Sequence, residues 1–216
     1  MLPASSDVAA TGGGPNVRRT QVQRRADAER ALLDAAVRLI ATKGVEQTSL
    51  AEIGEQAGFS RGLVNHHFGS KAALVERLAA RTQRRFSDSL KSTSAVDEVE
   101  ALVCIARAYI DAARGGGDVV RAFFVMWGAA ITADAPLGPV FVSDDQRFRD
   151  TIQSLVAAGQ AHATISAELD PGGFAVIYVA MLRGTVAQYL IDGRIDLLAA
   201  GDAGERVVRL MLNPWS

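Results

Sequence analysis

Gln47 to Lys71 reads QTSLAEIGEQAGFSRGLVNHHFGSK. Ser49 and Glu52 stand three apart just ahead of an apolar-spaced run, the signature of a capping box that opens a helix. Leu50, Ile53 and Ala57 fall on one face of that helix. Gly58 ends it, because glycine enters the left-handed region without a Cβ penalty. Ser60 is placed to cap a second helix, Arg61 to Phe68; Gly69 breaks it, and Ser70 caps a long third from Lys71 to about Lys91. Helices as short as the first are unstable alone in water, so its apolar face must pack on neighbours, with Phe59 plugging the angle to the second. Two short helices joined by a tight glycine-containing turn make a helix-turn-helix. An all-α fold is predicted around it.

The second helix leaves Arg61, Asn65 and His66 pointing outward. Arginine can donate two hydrogen bonds to a guanine edge and asparagine can pair with adenine. The helix start at Ser60–Gly62 offers free backbone N–H groups to a phosphate, Gly62 permits close backbone approach, and Lys71 adds a positive charge. His66 and His67 are adjacent, so they diverge by about 100° on a helix. With no third ligand near, they do not form a zinc pattern. His67 also fits a half-buried position against the long helix.

The segment resembles the DNA-binding motif of the tetracycline-repressor (TetR) family. Thr48-Ser49, Ile53, Ala57-Gly58, Ser60, Gly62, His67-Phe68 and Ser70-Lys71 agree with that motif in type and spacing. The close match runs from about Arg25 to Leu78. The resemblance implies that Thr48 and Ser49 touch the phosphate backbone and that Ser60, Arg61 and Gly62 lie at the groove's edge. It further implies that Asn65, His66 and His67 contact bases or phosphates, and that Lys71 holds a phosphate. The chain departs from the family in carrying Asn65 where tyrosine is common and Ala73 where an acidic residue is common.

Outward from the motif, residues 1–20 are rich in Ala, Ser, Gly and Pro and read as a disordered arm. Arg18, Arg19, Arg24 and Arg25 suit either a minor-groove arm or a solvated tail. Arg24 to Lys43 is helical in pattern, with Leu32, Ala36, Leu39 and Ile40 inward. On the long helix, Leu74, Val75, Leu78 and Phe86 form the buried stripe, and Arg77, Arg81, Arg84 and Arg85 lie more exposed. Further helices are predicted from Ser94 to about Ala113, Val119 to Thr132, Val140 to His162, Phe174 to Ile191 and Ala203 to Leu212. Glycines 115–117, Pro136, Pro171 and Pro214 punctuate them. That makes about nine helices: arm 1–20, helix-turn-helix domain 21–70, connecting helix 71–92, and ligand-binding and dimerisation domain 93–216.

Charge supports the division. Residues 1–92 hold 14 Lys/Arg against 9 Asp/Glu, and residues 93–216 hold 9 against 15. A basic front and an acidic back suggest that only the front meets a polyanion. The single cysteine, Cys104, excludes an intramolecular disulfide and suits the cytoplasm; it reads as a small core hydrophobe. The longest strongly apolar run, Phe174 to Leu182, falls short of the ~20 residues a bilayer span requires, so no membrane partner is expected.

In the back half, the first part of Phe174–Ile191 is apolar on nearly every side, and such a helix is buried all round. A homodimer would accommodate this. By the family resemblance, the last two helices pair with their two-fold mates, making Ile177, Met181, Gly184, Gln188 and the Val207–Met211 stripe interface candidates. Tyr109, Phe123, Met126, Trp127, Phe148 and Tyr178, with small residues among them, are candidates to line a pocket for an apolar or aromatic effector. Arg107 and Arg183 offer either a polar handle there or solvent-exposed charge.

There is no phosphate-binding glycine loop, no H-E-x-x-H and no G-x-S-x-G, so no cofactor and no catalysis are expected. The sequence points to a ligand-responsive transcriptional regulator acting on a double-stranded, near-palindromic DNA operator, with a small-molecule effector. Repressor is the first reading; a ligand-dependent activator is the alternative, and a small helical enzyme or a protein-binding adaptor stands further off.

Overall fold

The computed structural model describes residues 20–90, 96–131 and 137–213. Among them are nine helices and no strand: α1 (Gln21–Lys43), α2 (Leu50–Ala57), α3 (Arg61–Phe68), α4 (Lys71–Leu90), α5 (Glu98–Gly115), α6 (Gly117–Ala129), α7 (Gly138–Ala161), α8 (Pro171–Ile191) and α9 (Leu197–Leu212). Arg18, Arg19, Ser94, Pro136 and Pro214, and the side chains of Arg85 and Phe86, lie outside the described residues.

Where the helix starts differ from expectation, local capping explains the difference. Asp196 accepts hydrogen bonds from the N–H groups of Leu198 (3.0 Å) and Ala199 (3.1 Å), so α9 begins at Leu197 rather than Ala203. Asp170 accepts from the Gly173 N–H at 2.6 Å, and Pro171 occupies the first turn, where its missing N–H costs nothing. Asp97 caps α5 through the Glu100 N–H at 2.8 Å.

Two hydrophobic clusters result. One joins α5, α7, α8 and α9 around Leu102, Ile152, Val156, Tyr178, Val186 and Leu212. The Tyr178 hydroxyl donates to the Leu102 carbonyl at 2.6 Å, giving this buried tyrosine its partner, and burial pushes its pKa up. The other cluster joins α1 to α4 with α6 and the start of α7, through Leu32, Ile40, Ile53, Val64, Leu74, Met126 and Phe141. The core of α1 to α4 is therefore continuous with α6 (Ala122 and Met126 are fully buried in it).

Two expectations are corrected, and a third is seen on one chain only. Within the single chain, α8 buries one face: Phe174, Tyr178, Val179, Leu182 and Val186 face the core, while Ile177 is 55% and Ile191 88% exposed. Taken whole, α8 is also long and apolar enough to cross a membrane, which the nine-residue run did not suggest. Its inner face is nonetheless packed in protein and carries the buried Arg183. Cys104 is half-buried at the core's edge rather than inside it.

Candidate nucleic-acid interface

The α1–α2 corner fixes the start of the motif. Ser49 Oγ accepts from the Glu52 N–H at 3.3 Å, and the Glu52 carboxylate accepts from the Ser49 N–H (3.0 Å) and hydroxyl (2.7 Å). Lys43, in the last turn of α1, pairs with the same carboxylate. The Lys43 ammonium, followed by the Ser49 donors, holds the Glu52 pKa down at about 2.

Gly58 is left-handed (φ 77°), as the turn requires. A second glycine sets the angle between the helices. The Phe59 N–H donates to the Gly54 carbonyl at 2.7 Å, and a Cβ on Gly54 would stand 2.8 Å from the Phe59 carbonyl oxygen and 3.1 Å from Val64 Cγ2. The sequence pattern does not single out Gly54. Its one signal is a glycine inside a helix, where the propensity loss calls for a packing reason.

Helix α3 is capped by Ser60, whose Oγ accepts from the Leu63 N–H at 3.3 Å. Val64 and Phe68 are buried beneath it, while Arg61, Gly62, Asn65 and His66 are exposed. One face of α3 is thus anchored, and the other presents a guanidinium, a carboxamide and an imidazole to solvent. At Gly62 the protein leaves room: a Cβ there would meet nothing nearer than Ser60 Oγ, 3.8 Å away. The protein's own packing therefore does not demand a glycine at this position.

Three residues are placed differently from the rest. Thr48, expected at a phosphate, is 2% exposed, and its hydroxyl donates to the Gly44 carbonyl at 2.7 Å. It braces the α1–α2 turn, which leaves the surface to Ser49. Lys71 is half-buried and donates to the Glu46 carbonyl at 2.9 Å, which ties the start of α4 to that turn. Its ammonium keeps further donors. His67 is half-buried and lines an open cleft of about 410 Å³ with Phe68, Glu76, Arg77 and Val140. Burial, with Arg25 nearby, lowers its pKa. Among the described residues no group of three or more metal-ligating side chains comes together.

Ion pairs tie α4 to α1. Arg77 meets Glu29 at 2.8 Å and Arg81, half-buried, meets Asp34 at 2.7 Å.

The segment that builds this surface also matches known proteins. Residues 32–78 match the family described as bacterial regulatory proteins, tetR family. The chain belongs to the tetR family of bacterial regulatory proteins. It is 34% identical to the HTH-type transcriptional regulator TtgR of Pseudomonas putida over 89 residues, covering 41% of this chain and 42% of TtgR. Its match to the HTH-type transcriptional regulator BetI of Burkholderia ambifaria is 29% over 189 residues, covering 79% of this chain and 93% of BetI. Among solved structures, the fold is shared with AibR, solved in complex with isovaleryl coenzyme A and operator DNA. The TM-score is 0.68 at 20% identity, over 87% of this chain and all of AibR. As a TetR-family transcriptional regulator, the chain carries its helix-turn-helix in α2 and α3.

The effector candidates of this TetR-family chain do not share one wall. Tyr109 and Phe148 stack with ring centres 6.4 Å apart, and with Tyr178 they belong to the α5–α9 core. Phe123, Met126 and Trp127 belong to the cluster shared with α1, and Met126 is fully buried there. Arg183 joins the two groups. It is buried, not solvent-exposed; it pairs with Asp145 and lies 5.7 Å from the Phe123 ring centre and 5.1 Å from that of Trp127. Arg107 is exposed and pairs with Glu205. Of the dimer candidates, Ile177, Gln188 and Val207 are exposed, and Met181, Gly184 and Met211 are half-buried.

Proposed function

We propose that this chain is a cytoplasmic homodimeric repressor that grips a near-palindromic operator with α3 and releases it when a small apolar or aromatic effector enters the back half. The observation that carries the reading is the α3 face: Arg61, Asn65 and His66 are exposed on a helix whose other side is anchored by Val64 and Phe68. Polar side chains on a rigid support, beside free backbone N–H groups at a helix start, suit a major groove flanked by phosphate.

The dimer reading is supported by the apolar outer face of α8 and α9, where Ile177, Ile191, Val207 and Leu210 are exposed. Two-fold pairing through that face would bury them and duplicate α3, which suits an inverted-repeat site. The effector reading is supported by α6, which packs along α1 through Ala122 and Met126 while presenting Phe123 and Trp127 to Arg183. A ligand that moves α6 would move α1 and the reader with it, with a coupling of typically ~1–3 kcal/mol. We divide the chain accordingly into a reader over 21–70, a connecting helix over 71–92 and an effector and dimerisation domain over 93–216. AibR offers a precedent on the same fold for both kinds of partner, operator DNA and a small molecule.

A mobility-shift titration on the DNA upstream of the chain's own gene tests the reading. A salt-sensitive complex that prefers an inverted repeat there is expected; binding indifferent to sequence would refute it.

A further inference from the structure

Arg183 is the only charged residue of α8, and it is buried. Its Nη1 donates to Asp145 Oδ2 at 2.6 Å and its Nη2 to the other carboxylate oxygen, so Asp145 of α7 takes the end-on fork of the guanidinium. The Tyr109 hydroxyl also hydrogen-bonds the guanidinium, but the side edge is left over: Nε is buried and has no hydrogen-bond partner among the described residues. A buried donor without an acceptor costs free energy, and it sits where four helices meet. Tyr109 of α5, Asp145 of α7 and the Phe123 and Trp127 rings of α6 all lie against this one side chain of α8. Phe123 and Trp127 are half-buried, so neither ring is fully enclosed by the chain's own packing.

We infer that the Nε edge of Arg183 is the polar anchor of an effector subsite, and that its ligand is a neutral aryl carbonyl compound. The inference rests on the reading of the back half as an effector domain and gives that effector a chemical class. The rings of Phe123 and Trp127 select a flat, apolar body. The free N–H selects an acceptor oxygen. Neutrality follows from Asp145: the guanidinium charge is already matched, so a second carboxylate would be dehydrated without a counter-charge of its own. A carbonyl oxygen accepts the spare hydrogen bond and leaves the ion pair intact.

The test uses calorimetric titration of the full-length protein with acetophenone, its hydrocarbon isostere α-methylstyrene, and benzoate. Acetophenone is expected to bind about tenfold or more tighter than either of the others, since it alone satisfies a charged donor without adding charge. In Arg183→Lys the partner charge for Asp145 is kept and the side edge is gone, so acetophenone and α-methylstyrene are expected to bind alike. In Asp145→Asn the guanidinium charge is unmatched, and preference is expected to turn to benzoate. Absence of binding by all three, equal binding of ketone and hydrocarbon in the unmodified protein, or a ketone preference that survives Arg183→Lys would overturn the inference. So would a benzoate preference without the Asp145 change. If Arg183→Lys fails to fold, the Asp145→Asn reversal decides alone. DNA binding by ligand-free protein, measured in parallel, separates failure of this inference from failure of the regulator reading.

Discussion

The Gly54 Cα lies so close to the backbone of Phe59 that a side chain there would start 2.8 Å from the Phe59 carbonyl oxygen. The crossing of α2 and α3 is set by this contact, with Val64 Cγ2 as its second wall. The obstacle is backbone, which cannot rotate away. Gly54→Ala is therefore expected to force the two helices apart despite alanine's better helix propensity. A loss of about 1–3 kcal/mol is expected, read as a lower denaturant midpoint, together with loss of operator binding.

Gly62 should behave in the opposite way. Its Cβ position meets nothing nearer than Ser60 Oγ at 3.8 Å. Gly62→Ala is expected to stabilise the protein by up to about 1 kcal/mol through helix propensity, while weakening DNA binding by crowding the phosphate approach. Thermal melts and a mobility-shift titration on one preparation check both. Unchanged DNA affinity would mean that the backbone at Gly62 does not approach DNA.

On the proposed reading, Asn65 and Lys71 are expected to divide the labour of recognition. Asn65 is exposed mid-face on α3, whereas Lys71 is anchored on the Glu46 carbonyl at the rim. Asn65→Ala is expected to erode preference for the cognate site more than affinity for bulk DNA. Lys71→Ala should weaken both together and reduce the salt slope by about one. Titrations at several salt concentrations against specific and scrambled duplexes distinguish the two.

Much of this was legible in the sequence because caps and turns are local. Ser49 with Glu52, Gly58 and Ser60 form the bonds their spacing implies, and the outward set Arg61, Asn65 and His66 follows from helical periodicity alone. What the sequence hid is tertiary. Nothing in its neighbourhood marks Thr48 as buried; that depends on the Gly44 carbonyl lying overhead. For Arg183 the sequence leaves a polar handle and a solvent charge equally open until Asp145, 38 residues away, is brought beside it. Met126 and Trp127 are adjacent in sequence, yet only the first is fully buried in the core shared with α1.

The Glu52 corner carries a pH signature. Its folded pKa of about 2 lies below the ordinary 4.5, held there first by Lys43 and then by Ser49. A depressed carboxylate contributes stability above its unfolded value and loses it as pH falls toward the folded one. The contribution should be complete above about pH 4.5, decline between 4.5 and 2, and vanish below. Melting temperatures of the unmodified protein and Glu52→Gln are expected to differ at about pH 6 and to converge as pH approaches 2. Parallel curves across that range would remove the corner from the stability of the motif.

If the chain pairs through the outer face of α8 as proposed, a change there should separate the stability of the protomer from that of the dimer. Ile177 is 55% exposed on the protomer, so Ile177→Glu should cost the isolated fold little, within about 0.5 kcal/mol for a surface site. Across a two-fold interface the same glutamate would be buried twice, facing apolar surface without a partner. Sedimentation is expected to show the unmodified protein as a dimer and Ile177→Glu as a monomer at micromolar concentration. Affinity for a full inverted repeat should then fall toward that for a half-site. Val142 is 67% exposed on α7, outside the proposed α8–α9 pairing, so Val142→Glu should leave the dimer intact. A dimer that tolerates the Ile177 change but not the Val142 change would place the two-fold axis on α7 instead.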